Sequence, residues 1–149
     1  MRSVVQRVSR AKVLVGNKVI SEIGKGILVL LGIERGDRES DADYLSEKIT
    51  NLRIFDDEKG KMNLSLIDIH GEMLVVSQFT LLGNCCKGRR PSFIKAEDPD
   101  CARSLCDYFI NITRQKIKFI AQGEFQAVMN VELINNGPVT MILDSRQNI

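Results

Sequence analysis

The chain has 149 residues, the size of a single domain that can bury a core without metals or disulfides. Its 44% hydrophobic and 27% charged residues are typical of a soluble globule, and no apolar run approaches the roughly 20 residues of a membrane helix. A formal charge of +2 is too small to indicate nucleic-acid binding by overall basicity, so any RNA contact must come from local clusters. The N-terminal residues alternate polar and apolar types, unlike a signal peptide, and we expect one cytosolic domain over residues 1–149 with no membrane contact.

The first half of the chain predicts five strands and one helix. The strands are expected over residues 3–8, 11–15, 18–23, 27–33 and 63–69, with turns at 16–17 and 56–60. Ser40 or Asp41 is a plausible N-cap, and Leu45, Ile49 and Leu52 fall on one helical stripe.

The second half predicts a buried strand at residues 73–76, a helix and three closing strands. Asp98 as N-cap and Pro99 at the first position begin the helix, whose apolar stripe includes Leu105 and Phe109. The closing strands are expected over residues 117–120, 125–134 and 139–143, with turns at 122–123 and 135–138. Strands with two amphipathic helices packed on them indicate an α+β fold with mostly antiparallel sheets.

The four cysteines do not form a metal-site pattern. Cys85 and Cys86 are adjacent, Cys101 and Cys106 are five positions apart, and His70 is the only histidine. No Cys-x-x-Cys or Cys-His grouping exists, so we expect no metal and no cofactor, and we interpret the thiols as structural or incidental.

Polar and basic residues follow the predicted strand at 73–76. Strand alternation would place Ser77 and Phe79 on one face and Gln78 and Thr80 on the other. Three cations around a glycine come next in the chain, a composition that suits phosphate binding: Lys87, Arg89 and Arg90. Two interpretations stay open on these residues alone: a polar pocket beside a phosphate-binding loop, or a buried strand with satisfied hydroxyls followed by a solvated turn.

Short motifs in this region and elsewhere resemble the signature of the D-aminoacyl-tRNA deacylases. Residues 77–81 read SQFTL, residues 87–93 read KGRRPSF, residues 136–140 read NGPVT, and QRV at 6–8 resembles the N-terminal strand of that family. They occur in the right order in a chain of the family's length, and the match spans nearly the whole chain. The resemblance implies a homodimeric layered β/β/α sandwich that cleaves the ester bond of D-aminoacyl-tRNA, and of glycine mischarged onto tRNA(Ala).

The resemblance also implies roles for individual residues. Ser77, Gln78, Phe79 and Thr80 would line the site for the aminoacylated terminal adenosine, with the Phe79 amide as an oxyanion donor and Met129 on the adenine side. Water would attack the ester with help from the terminal ribose 2′-hydroxyl.

The C-terminal motif is implied to enforce chirality across the dimer. Gly137 and Pro138, joined by a cis bond, would exclude L side chains from the partner's site, and Arg7 would brace them. Val139 and Thr140 complete the motif. Lys87, Arg89 and Arg90 are expected to contact acceptor-stem phosphates of the tRNA.

Two features depart from the family pattern. Gln126 stands where a small residue, usually glycine, is expected, and Cys85-Cys86 replace more typical loop residues.

No Ser-His-Asp or Cys-His set can be assembled around the lone histidine, so a hydrolase of this sequence lacks the usual side-chain acid and base. Two alternatives to a D-aminoacyl-tRNA deacylase stay open: a relative of this family with an altered chirality preference, and a nucleic-acid-binding module that kept the fold without catalysis.

Overall fold

The structure, a computed structural model, describes residues 1–147. Its larger sheet is built from six strands: β1 (Arg2–Val15), β2 (Lys18–Ile23), β3 (Gly26–Gly32), β6 (Glu72–Ser77), β7 (Phe119–Gln122) and β8 (Met129–Asp144). A two-stranded sheet contains β4 (Phe55–Asp56) and β5 (Met62–Leu64). The helices are α1 (Glu39–Asn51) and α2 (Pro99–Arg114), and a 3₁₀ turn covers Phe79–Leu82.

The larger sheet is mixed and nearly closed, like a barrel. The long strand β1 pairs antiparallel with β2, β3 and β8, whereas β3 pairs parallel with β6, and β6 parallel with β7. The expectation of mostly antiparallel sheets is therefore only partly right. The chain returns from β3 to β6 through α1 and from β6 to β7 through α2, and such helical crossovers make the joined strands parallel.

Several predicted strands have different limits in the structure. The segments at 3–8 and 11–15 form the single strand β1, and those at 125–134 and 139–143 form one strand that starts at Met129 and runs through residues 135–138. The pairing of β1 with β8 shifts register on both sides of Val8, which accommodates the extra residues of β8 between Asn135 and Thr140. The two strands therefore stay paired beyond this segment. The strand expected at 63–69 ends at Leu64, and a turn follows in which the Asp68 carboxylate accepts hydrogen bonds from Ser65.

The two helices are confirmed, although the first begins earlier than expected. Arg38, not Ser40 or Asp41, is the N-cap of α1, and the Asp41 carboxylate accepts a 2.8 Å hydrogen bond from the Arg38 amide. Helix α2 begins at Pro99 after Asp98, as predicted.

The helices pack together over the sheet and enclose the main core. Leu45 and Ile49 of α1 and Phe109 of α2 are almost completely buried there. The buried hydroxyls of Ser46 and Thr113 form a 2.9 Å hydrogen bond between the helices, so burial leaves neither without a partner. Within residues 1–147, no helix combines the length and apolar character needed to cross a membrane.

Candidate active site

The end of β6 positions the residues of the SQFTL motif. Ser77 is the last residue of the strand, and the Gln78 amide donates a 2.8 Å hydrogen bond to the Leu31 carbonyl of β3. The chain then enters the 3₁₀ turn, so the alternation expected for residues 77–80 is wrong beyond Ser77. Gly32 permits this turn to lie against β3, since a Cβ there would be 2.9 Å from the backbone carbonyl oxygen of Gln78.

The 3₁₀ turn leaves the backbone of Phe79 open. Among residues 1–147 the Phe79 amide has no hydrogen-bond acceptor, as is usual for the first amides of a helical turn. Phe79 is 55% exposed, and its ring meets the Phe93 ring edge to face, with centroids 5.1 Å apart. Gln78 Nε2 donates a hydrogen bond to Thr80 Oγ1, which engages the threonine hydroxyl with an amide and not with a base.

A cleft of about 580 Å³ opens beside this turn. Of the residues expected at the site, Ser77, Gln78, Phe79 and Met129 line it, whereas Thr80 does not. The remaining walls come from the residue after β3, the strands β6 and β8, the start of α2 with the two residues at 96–97 before it, and the segment before β8: Ile33, Val76, Ala96, Glu97, Pro99, Ala102, Phe125, Gln126, Ala127 and Val131. Among the residues that the structure describes, no Lys or Arg lines it, so the cleft is a mainly apolar space with a few polar groups at its edge.

Glu97 is a charged residue at the edge of the cleft. Its carboxylate accepts hydrogen bonds from the Asp98 amide at 2.9 Å and the Gly36 amide at 3.2 Å. These bonds, helped by Arg35 nearby, hold the pKa of Glu97 below its usual range. The carboxylate stays ionised near neutral pH, and its oxygens are already engaged by the backbone.

Arg7 supports the NGPVT motif through a hydrogen bond and through packing against Gly137. This side chain is buried, and it donates hydrogen bonds to the Ile54 carbonyl at 2.7 Å and the Asn136 carbonyl at 3.1 Å. A Cβ on Gly137, whose φ is +116°, would lie 2.6 Å from Arg7 Nη2. The guanidinium therefore packs directly on the glycine, and the Gly137-Pro138 peptide bond is cis, in agreement with the expectation from sequence.

Asn135 is a further support that the sequence interpretation missed. Its side-chain amide donates to the Arg7 carbonyl at 3.0 Å and to the Val139 carbonyl at 2.9 Å, and Thr140 Oγ1 donates to its amide oxygen at 3.3 Å. Val139 packs against the main core. The position of Asn135 directly before the motif was the available signal.

The structure does not bring the Gly-Pro motif and the cleft together within one chain. Gly137 and Pro138 are exposed on β8, and no residue from 136 to 140 lines the cleft. Three apolar side chains of β8 are also exposed: Ile134, Met141 and Ile142.

The three cations of the KGRRPSF motif lie on an exposed loop. Asn84 and Ser92 close the loop by exchanging two backbone hydrogen bonds of 2.8 and 3.0 Å. Phe93 follows directly and contacts Phe79, so the loop begins and ends beside the 3₁₀ turn. Lys87, Arg89 and Arg90 have no acidic partner within residues 1–147 and are therefore free to meet an anion.

None of the four cysteines lines the cleft, and Cys85 and Cys86 lie on the exposed loop that carries the cations. Cys106 is buried on α2, and burial, with a smaller effect of the neighbouring Asp107, raises the pKa of its thiol to about 12. The other three cysteines are exposed. The described part of the chain contains no cluster of three or more potential metal-ligating residues.

Comparison with known proteins gives a consistent result. The sequence model of the D-Tyr-tRNA(Tyr) deacylase family matches residues 4–144. A D-aminoacyl-tRNA deacylase of Syntrophus aciditrophicus is 61% identical over 147 residues, 99% of each chain, and one of Clostridioides difficile is 55% identical over 148 residues, also 99% of each. Among solved structures, that of a c-Myc DNA Unwinding Element Binding Protein superimposes with a TM-score of 0.92 at 43% identity, covering 97% of this chain and 98% of its own.

Proposed function

Because the chain belongs to the D-Tyr-tRNA(Tyr) deacylase family, we propose that it hydrolyses the ester bond of D-aminoacyl-tRNA. The products are free D-amino acid and tRNA, so the enzyme removes mischarged tRNA before translation uses it in the cytoplasm. The observation that carries this proposal is the family match over residues 4–144, which includes the SQFTL, KGRRPSF and NGPVT motifs.

The chemistry proposed is hydrolysis by water without a covalent intermediate. The Phe79 amide has no acceptor within residues 1–147 and is available to an oxyanion, a contact typically worth about 2.7–4 kcal/mol in the transition state. Thr80 is a poor nucleophile because its hydroxyl meets Gln78 and no base. The terminal ribose 2′-hydroxyl of the tRNA assists the attacking water.

Two substrates and one variant test this mechanism. Thr80→Ala should keep most of the deacylation rate, whereas a D-tyrosyl-tRNA whose terminal adenosine lacks the 2′-hydroxyl should not be hydrolysed. Loss of activity in the variant together with hydrolysis of the 2′-deoxy substrate would contradict the mechanism.

Rejection of L-amino acids is assigned to Gly137 and Pro138 of a second subunit. Within one chain these residues are exposed and lie outside the cleft, so a site that contains both needs two copies. The exposed apolar side chains on β8 provide surface for that association. The layered β/β/α sandwich and the homodimer, both implied by the resemblance, belong to this proposal.

In this dimer the backbone of the motif would occupy the volume that an L side chain needs, and D-residues would fit. Glycine has no side chain to exclude, so glycine mischarged onto tRNA(Ala) is a second expected substrate. Steric exclusion can discriminate more strongly than an apolar pocket that differs by one methylene, which gives about 10–200-fold.

Release of free amino acid from D-tyrosyl-tRNA and L-tyrosyl-tRNA is the decisive assay. The proposal requires rapid release from the D-ester, slow release from the L-ester and measurable release from glycyl-tRNA(Ala). Light scattering should give about twice the monomer mass of 16.7 kDa. A fully active species at the monomer mass would refute the cross-subunit arrangement.

The alternative is a nucleic-acid-binding module without catalysis. The 43% identical protein of known structure is named for binding a DNA element, and the free cations of residues 87–90 would serve either role. A protein that binds nucleic acid but releases no amino acid from D-tyrosyl-tRNA would favour this alternative.

A further inference from the structure

Gln126 adopts a backbone conformation that a glutamine rarely takes. The Ala127 amide donates a 3.2 Å hydrogen bond to the Glu124 carbonyl, which closes a four-residue turn with Gln126 at its third position. The φ of Gln126 is +63°. Turns with positive φ at this position ordinarily place Gly or Asn there, because a longer side chain meets the neighbouring backbone.

The turn is fixed on both sides, so the chain cannot easily relax this conformation. Before it, the Gly123 amide donates a 2.9 Å hydrogen bond to the Val75 carbonyl of β6. Within it, the guanidinium of Arg103 lies over the Phe125 ring, 4.7 Å from the centroid. The turn therefore holds Gln126 at the edge of the cleft, and conformational cost of this kind is concentrated at functional sites.

Gln126 offers the cleft a complete amide. In the described part of the chain four polar side chains line the cleft, and two of them are already engaged: Glu97 accepts from two backbone amides, and Gln78 donates to Thr80. Within residues 1–147 the exposed amide of Gln126 has no protein partner. It therefore presents one donor and one acceptor side by side at the edge of the cleft.

The residues that line the cleft near Gln126 indicate which kind of ligand its amide binds. A phosphate would require cations, and within residues 1–147 no Lys or Arg lines the cleft. The side chains of Phe125, Ala127 and Met129 near Gln126 are apolar, which suits a flat, neutral ring. The ligand expected beside an amide on apolar walls is a nucleobase whose edge offers one donor and one acceptor, and adenine has such an edge.

From this arrangement we infer that Gln126 is a specificity-determining residue that reads the amino-purine edge of the terminal adenosine. The inference rests on the proposed function, since it assumes that aminoacyl-tRNA occupies the cleft. The glutamine amide accepts from the exocyclic amine and donates to the adjacent ring nitrogen. The turn holds the glutamine at positive φ before substrate binds, so its amide is already in place for this contact.

The test compares D-tyrosyl-tRNAs that end in adenosine or in purine riboside, which lacks the exocyclic amine. The wild-type protein should prefer adenosine about tenfold in kcat/KM, in the lower part of the range for a bidentate amide-adenine pair because Gln126 is exposed. Gln126→Gly and Gln126→Ala should both lower this preference to below about twofold. Gln115→Ala, an exposed glutamine outside the cleft, is the matched control and should keep it.

Thermal denaturation separates this role from a structural one. Gln126→Gly should melt at a higher temperature than Gln126→Ala, since glycine accepts positive φ. Equal base preference in the wild-type and Gln126→Gly proteins would overturn the inference. It would also be overturned if Gln126→Gly changed only the preference between D-tyrosyl and D-phenylalanyl esters and left the base preference as it is in the wild-type protein. Failure of the wild-type protein to hydrolyse any D-aminoacyl-tRNA would refute the proposed function instead.

Discussion

Replacing Arg7 with methionine removes the guanidinium under the Gly-Pro motif and keeps an unbranched side chain. The variant loses hydrogen bonds of 2.7 Å to the Ile54 carbonyl and 3.1 Å to the Asn136 carbonyl. A hydrogen bond from a charged group contributes about 1.5–3 kcal/mol. The ion pair with Asp56 adds little, because the Asp56 side chain is 50% exposed.

The buried methionine recovers part of this loss through apolar burial, so we expect Arg7→Met to reduce the free energy of unfolding by about 2–3 kcal/mol. For a chain of this size, Tm should fall by about 4–12 °C. Since the guanidinium also packs on Gly137, the ratio of D-tyrosyl to L-tyrosyl release should fall at least about tenfold.

Arg10→Met is the matched control for this experiment. Arg10 lies on the same strand, is exposed and has no ion-pair partner within residues 1–147. Its replacement should move Tm by no more than about 2 °C and leave the D-to-L ratio unchanged. An Arg7→Met protein that behaves like this control in both assays would show that the guanidinium does not hold the motif.

Three other outcomes follow from the structure. Because burial raises the pKa of Cys106 to about 12, a disulfide reagent should titrate three thiols in the native protein and the fourth only in denaturant; four fast thiols would contradict this. The pKa of Glu97 is lowered from its ordinary value of 4.5, chiefly by the hydrogen bond from the Asp98 amide, so its stabilisation is present above that value and is lost as the pH falls through the lowered pKa. Glu97→Gln should therefore flatten the decline of Tm between about pH 5 and 3, and an unchanged decline would count against this linkage. Arg90→Ala should raise KM for D-tyrosyl-tRNA and weaken its salt dependence, whereas an unchanged salt slope would leave the loop cations without a role in tRNA binding.

The secondary-structure elements predicted from sequence are most accurate where the local residue pattern and the tertiary structure favour the same element. The apolar run at residues 73–76 is completely buried in β6, and Asp98 and Pro99 begin α2 as expected. In both cases hydrophobic spacing and capping chemistry indicate the element found in the structure.

The limits of β8 could not be predicted, because they depend on a distant partner. Asn136, Gly137 and Pro138 have the composition of a turn, and the local pattern predicts one. In the structure β1 pairs with β8 on both sides of this segment, and the Arg7 side chain holds the segment between the two paired regions. Long-range pairing therefore overrides a local turn signal.

The parallel part of the sheet has a similar explanation. Strands β3, β6 and β7 have the same apolar character that a buried antiparallel strand would have, so their direction follows from the crossovers through α1 and α2. This arrangement sets the site, because it places the end of β6, with Ser77, next to the end of β3. The motif could be recognised from sequence, but the cleft beside it could not.

Gln126 shows why a local misprediction can be informative. The residues around it predicted a strand from 125 onward, since nothing about a glutamine indicates positive φ. The turn forms because Gly123 is bonded to β6 and Phe125 is held under Arg103, so its geometry is imposed by elements distant in sequence. A glycine would fit that geometry without strain. The protein thus holds Gln126 at positive φ through its neighbours and not through its own side chain, whose amide has no partner within residues 1–147 and is available to the bound substrate.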